Sequence, residues 1–303
     1  MSIHNEKRFL SLIFAVLLAL AGFTFSQEQD IAKIPIDTEK LGDSIYMLTG
    51  AGGNIGVCAG PDGILIIDSQ FPQIHEKIVA ALAAISPGPV RFLFNTNWHY
   101  DHVMGDELFG KKGAVIIAHE TARERMGKEQ IHKDLDITVP AYPAPALPVL
   151  TIADSLTLYF NNEVLQVRHI PNAHSDADLL FRFQNANVIH SGDLVFSHMY
   201  PYIDVPHGGS INGMIAAVDE VLRMCDPDTR VVPGHGQVMK RDDVAAFRDM
   251  LVLVRDRVAA LIKEGKSDKE ILAAKPTADL NALWQKGIPA ELLVQLVYDS
   301  LKE

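Results

Sequence analysis

The chain has 303 residues, 48% of them hydrophobic, enough apolar material for one large globular core or two small ones. Its formal net charge of −11 argues against a nucleic-acid binder, which needs a basic face to neutralise phosphates. Two cysteines, Cys58 and Cys225, supply neither a disulfide framework nor a zinc tetrad.

Residues 1–26 have the layout of an export signal. Lys7 and Arg8 precede an apolar run over 9–21, and Thr24 and Ser26 stand at the small positions of an A-x-A-like cut before Gln27. The run falls short of the ~20 apolar residues of a transmembrane helix. The expectation is a signal peptide over 1–26 and a mature domain over 27–303, secreted or periplasmic, with no membrane attachment after cleavage.

The mature chain opens on strand signals. Residues 44–48 alternate, and a turn rich in glycine follows at Gly50, Gly52 and Gly53. Apolar runs over 54–58 and 64–67 are split by Gly60-Pro61-Asp62-Gly63, which predicts a hairpin. Helical periodicity over 74–85 stops before Pro87 and Gly88. A strand over 91–94, a helix near Asp106, a strand over 114–118 and a polar helix over about 121–127 follow. Pro140, Pro143, Pro145 and Pro148 make the next segment a loop, either a rim over an active site or a crossover between two sheets.

The second half repeats the scheme. Strands are predicted over 156–160, 164–169, 179–183 and 188–191, a helix over 211–225, a strand over 230–232 and helices from about 242 onward. Lys263-Glu264-Gly265 ends one helix, Ser267 and Glu270 form a capping box for the next, and Pro289 opens the last. Two blocks of strands closed by helices suggest two packed sheets with helices outside. Cys58 in a strand run and Cys225 near a helix end are read as unpaired thiols packing as small hydrophobes.

The chemistry gathers in Thr96-Asn97-Trp98-His99-Tyr100-Asp101-His102, after a predicted strand and before a predicted helix. Imidazole nitrogen and carboxylate oxygen are good zinc donors, and three of them within four residues can face one small volume. His174 in Pro171-Asn172-Ala173-His174, Asp193 in His190-Ser191-Gly192-Asp193, and His235 in Pro233-Gly234-His235-Gly236 each follow a predicted strand, in a loop bearing Gly or Pro.

This order resembles the metallo-β-lactamase superfamily, whose signature is Thr-His-x-His-x-Asp-His followed by His, Asp and His on later loops. The likeness covers nearly the whole mature chain. It implies an α+β fold, an αββα sandwich of two mixed β-sheets flanked by helices, with a dinuclear zinc site. On that pattern His99 and His174 hold one Zn²⁺, Asp101, His102 and His235 hold the second, and Asp193 bridges them. Asn97 replaces the first histidine of the signature and leaves a weak ligand or substrate contact there. The resemblance therefore implies that the second ion binds tightly and the first weakly or not at all. A mono-zinc subclass shares the Asn, but has Arg where this chain has His102 and Cys where it has Asp193. The Asp fits the lactonases, thioesterases and related hydrolases.

The activity implied is attack of metal-bound hydroxide on the carbonyl of a cyclic amide or ester of a small-molecule substrate, with β-lactams the first class to test. Asp101 is the catalytic candidate that orients water and shuttles a proton. Tyr200 and Tyr202 are candidate oxyanion contacts, with ordinary packing as the alternative. Asp68, ending a strand, is placed to buttress a ligand histidine. His169 and His190 are read as hydrogen-bonded structural residues, and His75, His119, His132, His198 and His207 show no ligand spacing. Two alternatives stand beside this: a lactonase or glyoxalase II-like thioester hydrolase, and a degenerate metal-binding protein without catalysis. Six intact ligand residues oppose the last, because buried polar groups are expensive to keep without use.

Overall fold

The computed structural model describes residues 31–302, so the signal-peptide reading lies outside the described residues. In chain order the first half forms β1 (Asp37–Lys40), β2 (Ile45–Thr49), β3 (Ile55–Gly60), β4 (Gly63–Ile67), β5 (Val90–Phe94), β6 (Val115–His119), β7 (Gln130–His132), β8 (Ile137–Val139) and β9 (Leu150–Ile152). The second half forms β10 (Ser155–Phe160), β11 (Glu163–Ile170), β12 (Asp178–Phe183), β13 (Val188–Phe196) and β14 (Arg230–His235). One sheet runs β1-β2-β3-β4-β5-β6-β9, the other β10-β11-β12-β13-β14, and β7 and β8 make a separate ribbon. Both sheets are mixed: β1 to β4 and β10 to β13 pair antiparallel, while β4-β5-β6-β9 and β13-β14 pair parallel.

Alternation explains the layers. Successive side chains of a strand face opposite ways, and β4 is apolar on both faces. Ile64 and Ile66 meet Ile78 and Leu82 of the outer helix His75–Ile85. Leu65 and Ile67 turn inward to the core between the sheets, with Leu165, Val167 and Phe181 from the other side. Edge-to-face rings join the two sheets: Phe94 meets Phe181 at 5.7 Å and Phe92 meets Phe160 at 5.5 Å. Such pairs contribute roughly 0.5–1.5 kcal/mol beyond the area they bury. On the far face of the second sheet, Leu180, Ile189 and Val231 pack on the helices Ile211–Met224, Arg241–Lys263 and Ala290–Lys302. This is the αββα layering that the resemblance implies.

The predicted hairpin forms, with Gly60 opposite Gly63 and Gly63 at φ 107°. The short strands β1, β7, β8 and β9, of three or four residues each, carry too little pattern to be read from sequence. The proline-rich segment contains one 3₁₀ turn, Ala144–Ala146. It leads from the β7–β8 ribbon to β9, so it returns the chain to the edge of the first sheet instead of crossing to the second. Cys58 and Cys225 are unpaired. Among the described residues no helix is long and apolar enough to cross a membrane.

Candidate metal centre

The two halves meet at one end of the sandwich, and backbone bonds between them fix that end. Leu179 N–H donates to Thr96 O at 2.7 Å, and Asn54 N–H to Gly234 O at 2.7 Å. The Asn54 amide donates further to Pro233 O and Gly236 O, at 3.0 and 2.8 Å. The segment after β5 is thereby held against the start of β12, and the glycine-rich turn before β3 against the end of β14.

His99 stands at the N-cap of a one-turn helix, Tyr100–Val103, so Asp101 and His102 project from helical backbone rather than a bare turn. His174 lies in the loop after β11, as predicted. Asp193 and His235 do not sit in loops. Asp193 is inside β13, which runs on to Phe196, and His235 is the last residue of β14. Gly192 and the Pro233-Gly234 pair read locally as loop. The parallel pairing of β13 with β14 continues past them through two register shifts, at the cost of a left-handed Gly192, φ 51°. A side chain at Gly234 would place its Cβ 2.0 Å from Asp193 Oδ1, and at Gly53 2.2 Å from His102 Cε1. Both glycines clear the space that ligand-type side chains occupy.

All six candidates converge, in two groups. His99, His174 and Asp193 bring donor atoms within 4.8 Å of one another, and so do Asp101, His102 and His235. Asp193 lies between the groups: its Oδ2 is 3.1 Å from His102 Nε2 and 3.5 Å from His174 Nε2, and its Oδ1 is 3.4 Å from His235 Nε2. Asp101 Oδ2 is 3.3 Å from His235 Nε2. Asn97 clamps the arrangement. Its amide oxygen accepts the His99 N–H at 2.8 Å, and its NH₂ donates to Asp193 Oδ2 at 3.2 Å. The opposite amide orientation would set oxygen against carboxylate, so the Asn97 oxygen is already spent on the backbone.

Three buried carboxylates orient the histidines from behind. Asp68 Oδ2 meets His102 Nδ1 at 2.7 Å, Asp178 Oδ1 meets His174 Nδ1 at 3.0 Å, and Asp204 Oδ2 meets His99 Nε2 at 2.8 Å. Each pair fixes a tautomer and leaves the other ring nitrogen for a metal, the usual second row of such sites. The sequence reading placed Asp68 in this role but missed Asp178 and Asp204. Asp178 was legible as the position four after His174; nothing local marks Asp204.

Burial alone would raise the Asp193 carboxyl, but His102, His174 and His235 around it outweigh burial and hold it well below the usual range. Conversely, burial opposes charge on His174, yet Asp178 and Asp193 lift it to about 9. His102 is likewise raised well above its ordinary value, burial being overcome by Asp193, Asp101 and Asp68. His132, beside His99 and outside both groups, is pushed the other way by burial and the neighbouring imidazole, to about 4. Carboxylates facing imidazoles in a buried cluster suit a divalent cation. His102 Nε2 and Asp193 Oδ1 are buried and, although polar neighbours stand 3.1 and 3.4 Å away, neither makes a well-directed hydrogen bond, which is what a donor set for a metal leaves behind.

A cavity of about 210 Å³ opens directly on both groups, walled by Tyr100, Leu135, Phe196, Met199, Tyr202 and Ile288, with no lysine or arginine in its lining. No residue of the proline-rich segment lines it. Tyr202 packs on His99 and His174, with ring centroids 5.9 and 6.4 Å away. Tyr200 also borders the cavity, but its phenol donates to Asn281 Oδ1 at 2.9 Å. A second cavity of about 270 Å³, between the helix His75–Ile85 and Phe109, is apolar and has no carboxylate in its lining. His169 and His190 bond to the backbone oxygens of Asp176 and Asn54.

The sequence matches the family model described as the metallo-beta-lactamase superfamily over residues 48–235. No curated protein sequence matches. Among solved structures, a metallo-beta-lactamase from Pontibacter korlensis superposes with a TM-score of 0.60 at 15% identity, covering 72% of this chain and 99% of that one. The DIM-1 metallo-beta-lactamase gives 0.57 at 16% identity, over 73% of this chain and 99% of its own. Pisa1, a stereoselective inverting sec-alkylsulfatase from Pseudomonas sp., gives 0.64 at 14% identity, over 87% of this chain and 50% of its own. At these identities the likeness is one of fold.

Proposed function

Because the chain belongs to the metallo-β-lactamase superfamily, we propose that it is a zinc-dependent hydrolase of a small neutral carbonyl substrate, a cyclic ester or amide, with lactones foremost. The observation that carries the reading is the cavity: it opens on five of the six converging ligand-type residues, with His102 behind them, and its other walls are aromatic and aliphatic without a lysine or arginine. A β-lactam brings a carboxylate, and a sulfate ester an anionic head. Neither finds a lysine or arginine here to pair with. The export signal read over residues 1–26 supports action outside the cytoplasm, in the periplasm or medium.

Zinc in these groups would polarise the carbonyl and bring the pKa of water down to about 7. Asp101 borders the cavity and bonds to His235, so it can orient the attacking water and accept its proton. Burial pushes the Tyr202 phenol up and keeps it protonated, a donor for the oxygen that gains charge. Tyr200, spent on Asn281, serves as wall.

The test is a panel of an acyl-homoserine lactone, nitrocefin, an imipenem-type compound and a thioester, run zinc-replete and chelated. The lactone should turn over fastest and chelation should abolish it. Preference for a β-lactam overturns the neutral-substrate reading. No turnover of any member by zinc-loaded protein favours a degenerate, non-catalytic member.

A further inference from the structure

Beside the centre lies a third group of ligand-type residues. His132, on β7, is 3% exposed, and neither of its ring nitrogens has a hydrogen-bond partner. Its neighbour Ile131 is 52% exposed. β7 thus turns an isoleucine to solvent and an imidazole into the interior, the reverse of what burial of apolar surface favours. The ring is held in place: Trp98 stacks on it at 5.2 Å and 22°, and His99 meets it edge-on at 5.1 Å. Facing it is Asp204, fully buried, with Oδ2 on His99 Nε2 and Oδ1 accepting from His207 Nδ1 at 2.7 Å.

The bonds among His207, Asp204 and His99 are complete without His132. A buried imidazole with both nitrogens unsatisfied needs a further partner. We propose that His99, His132 and Asp204 form a separate site for a divalent transition-metal ion of the zinc class, outside the two groups described above. Their donor atoms lie within 4.8 Å of one another, a spread that small side-chain rotations close onto bonds of ~2 Å. Two imidazoles and a carboxylate are a donor set suited to zinc. His207 braces the second carboxylate oxygen. His99 Nε2 faces this outer group and in the metal-free protein shares its proton with Asp204. An ion here replaces that proton, which leaves to solvent, so His99 would bridge as an imidazolate when Nδ1 also holds an ion of the inner group. An ion here ties the β7–β8 ribbon to the loop carrying Asp204, and Leu135, between β7 and β8, is part of the cavity wall. The outer ion therefore fastens one wall of the cavity.

The site shares His99 with the centre described above, so the experiment separates the two. Metal-stripped full-length protein is titrated with Co²⁺, and bound equivalents and visible absorption are read for the parent, His132→Phe, His132→Gln and His235→Ala. Both His132 variants should lose one equivalent while keeping the parent's circular dichroism. His235→Ala should lose a different equivalent and keep the one that depends on His132. Equal stoichiometry in the parent and the His132 variants overturns the outer site and leaves the inner centre standing. A parent that takes up no cobalt overturns both. Hydrogen exchange of the parent gives a reading free of substitution: cobalt should protect the amides over 130–139, and unchanged exchange there counts against the proposal.

Discussion

Asp68 Oδ2 lies 2.7 Å from His102 Nδ1, and Asp68 itself holds a left-handed backbone at φ 69°. Aspartate enters that region more readily than most side chains, still at some cost. Here Thr96 N–H and Thr96 Oγ1 donate to its two oxygens at 2.7 and 2.8 Å, so the same carboxylate fixes the first loop and aims His102. Asp68→Asn keeps the size but loses the charge. It should weaken binding of the ion at Asp101, His102 and His235 by ~10–100-fold, read by competition with a chromophoric chelator. Unchanged affinity would show that His102 is aimed by packing alone.

Asp101 borders the cavity and is bonded within the second group. Asp101→Asn should lower kcat by ~10²–10⁴-fold on the best substrate of the panel while the thermal melt stays close to the parent's. Equal kcat in the two proteins removes Asp101 from the proton path.

Gly53 shows how tightly the centre is packed. A Cβ there would stand 2.2 Å from His102 Cε1. Gly53→Ala should cost about 1–3 kcal/mol of stability and reduce the increase in Tm that zinc produces. Thermal melts with and without zinc measure both effects, and a parent-like pair of curves contradicts the clash.

Asn97 spends its oxygen on the His99 N–H. Asn97→His offers an imidazole to the group of His99, His174 and Asp193, and should tighten the ion there without changing the one held by Asp101, His102 and His235. The comparison is cleanest in a His132→Phe background, where the outer group is removed. Zinc titration under chelator competition reads the two affinities separately, and a parent-like weak step would contradict the ligand role.

Stability of the metal-free protein should fall as pH rises from neutrality. His174 is raised from 6.5 to about 9 by Asp178 and Asp193 against the opposing effect of burial. Its stabilising charge is fully present below pH 6.5 and is lost as pH climbs through 9. Asp193, held low by the histidines around it, acts in the opposite sense: its contribution is present above 3.8 and is lost as pH falls below that. Zinc competes with protons for the same nitrogens, so the stabilisation by zinc should grow over the same rise in pH. Melting curves of stripped and zinc-loaded protein between pH 6 and 9.5 should diverge steadily; parallel curves would contradict the linkage.

Much of the architecture can be read residue by residue. The runs 64–67 and 74–85 give β4 and its covering helix because alternation and helical period are local properties of the chain. The six ligand-type residues were legible because His99, Asp101 and His102 crowd into four positions after one strand, and His174, Asp193 and His235 follow in order, each in a short stretch that carries Gly or Pro. What the tertiary structure alone decided is which of them share a volume, and what stands behind each. Asp204 lies 105 residues from the His99 it orients, and no spacing rule spans that distance. His132 and His207 likewise have no ligand spacing, yet both rings lie within 5.7 Å of each other around Trp98. Asp193 reads as a loop residue until β14 pairs alongside and carries β13 through the glycine. Local pattern reports the face a side chain presents; only the packing of the two sheets determines what it meets.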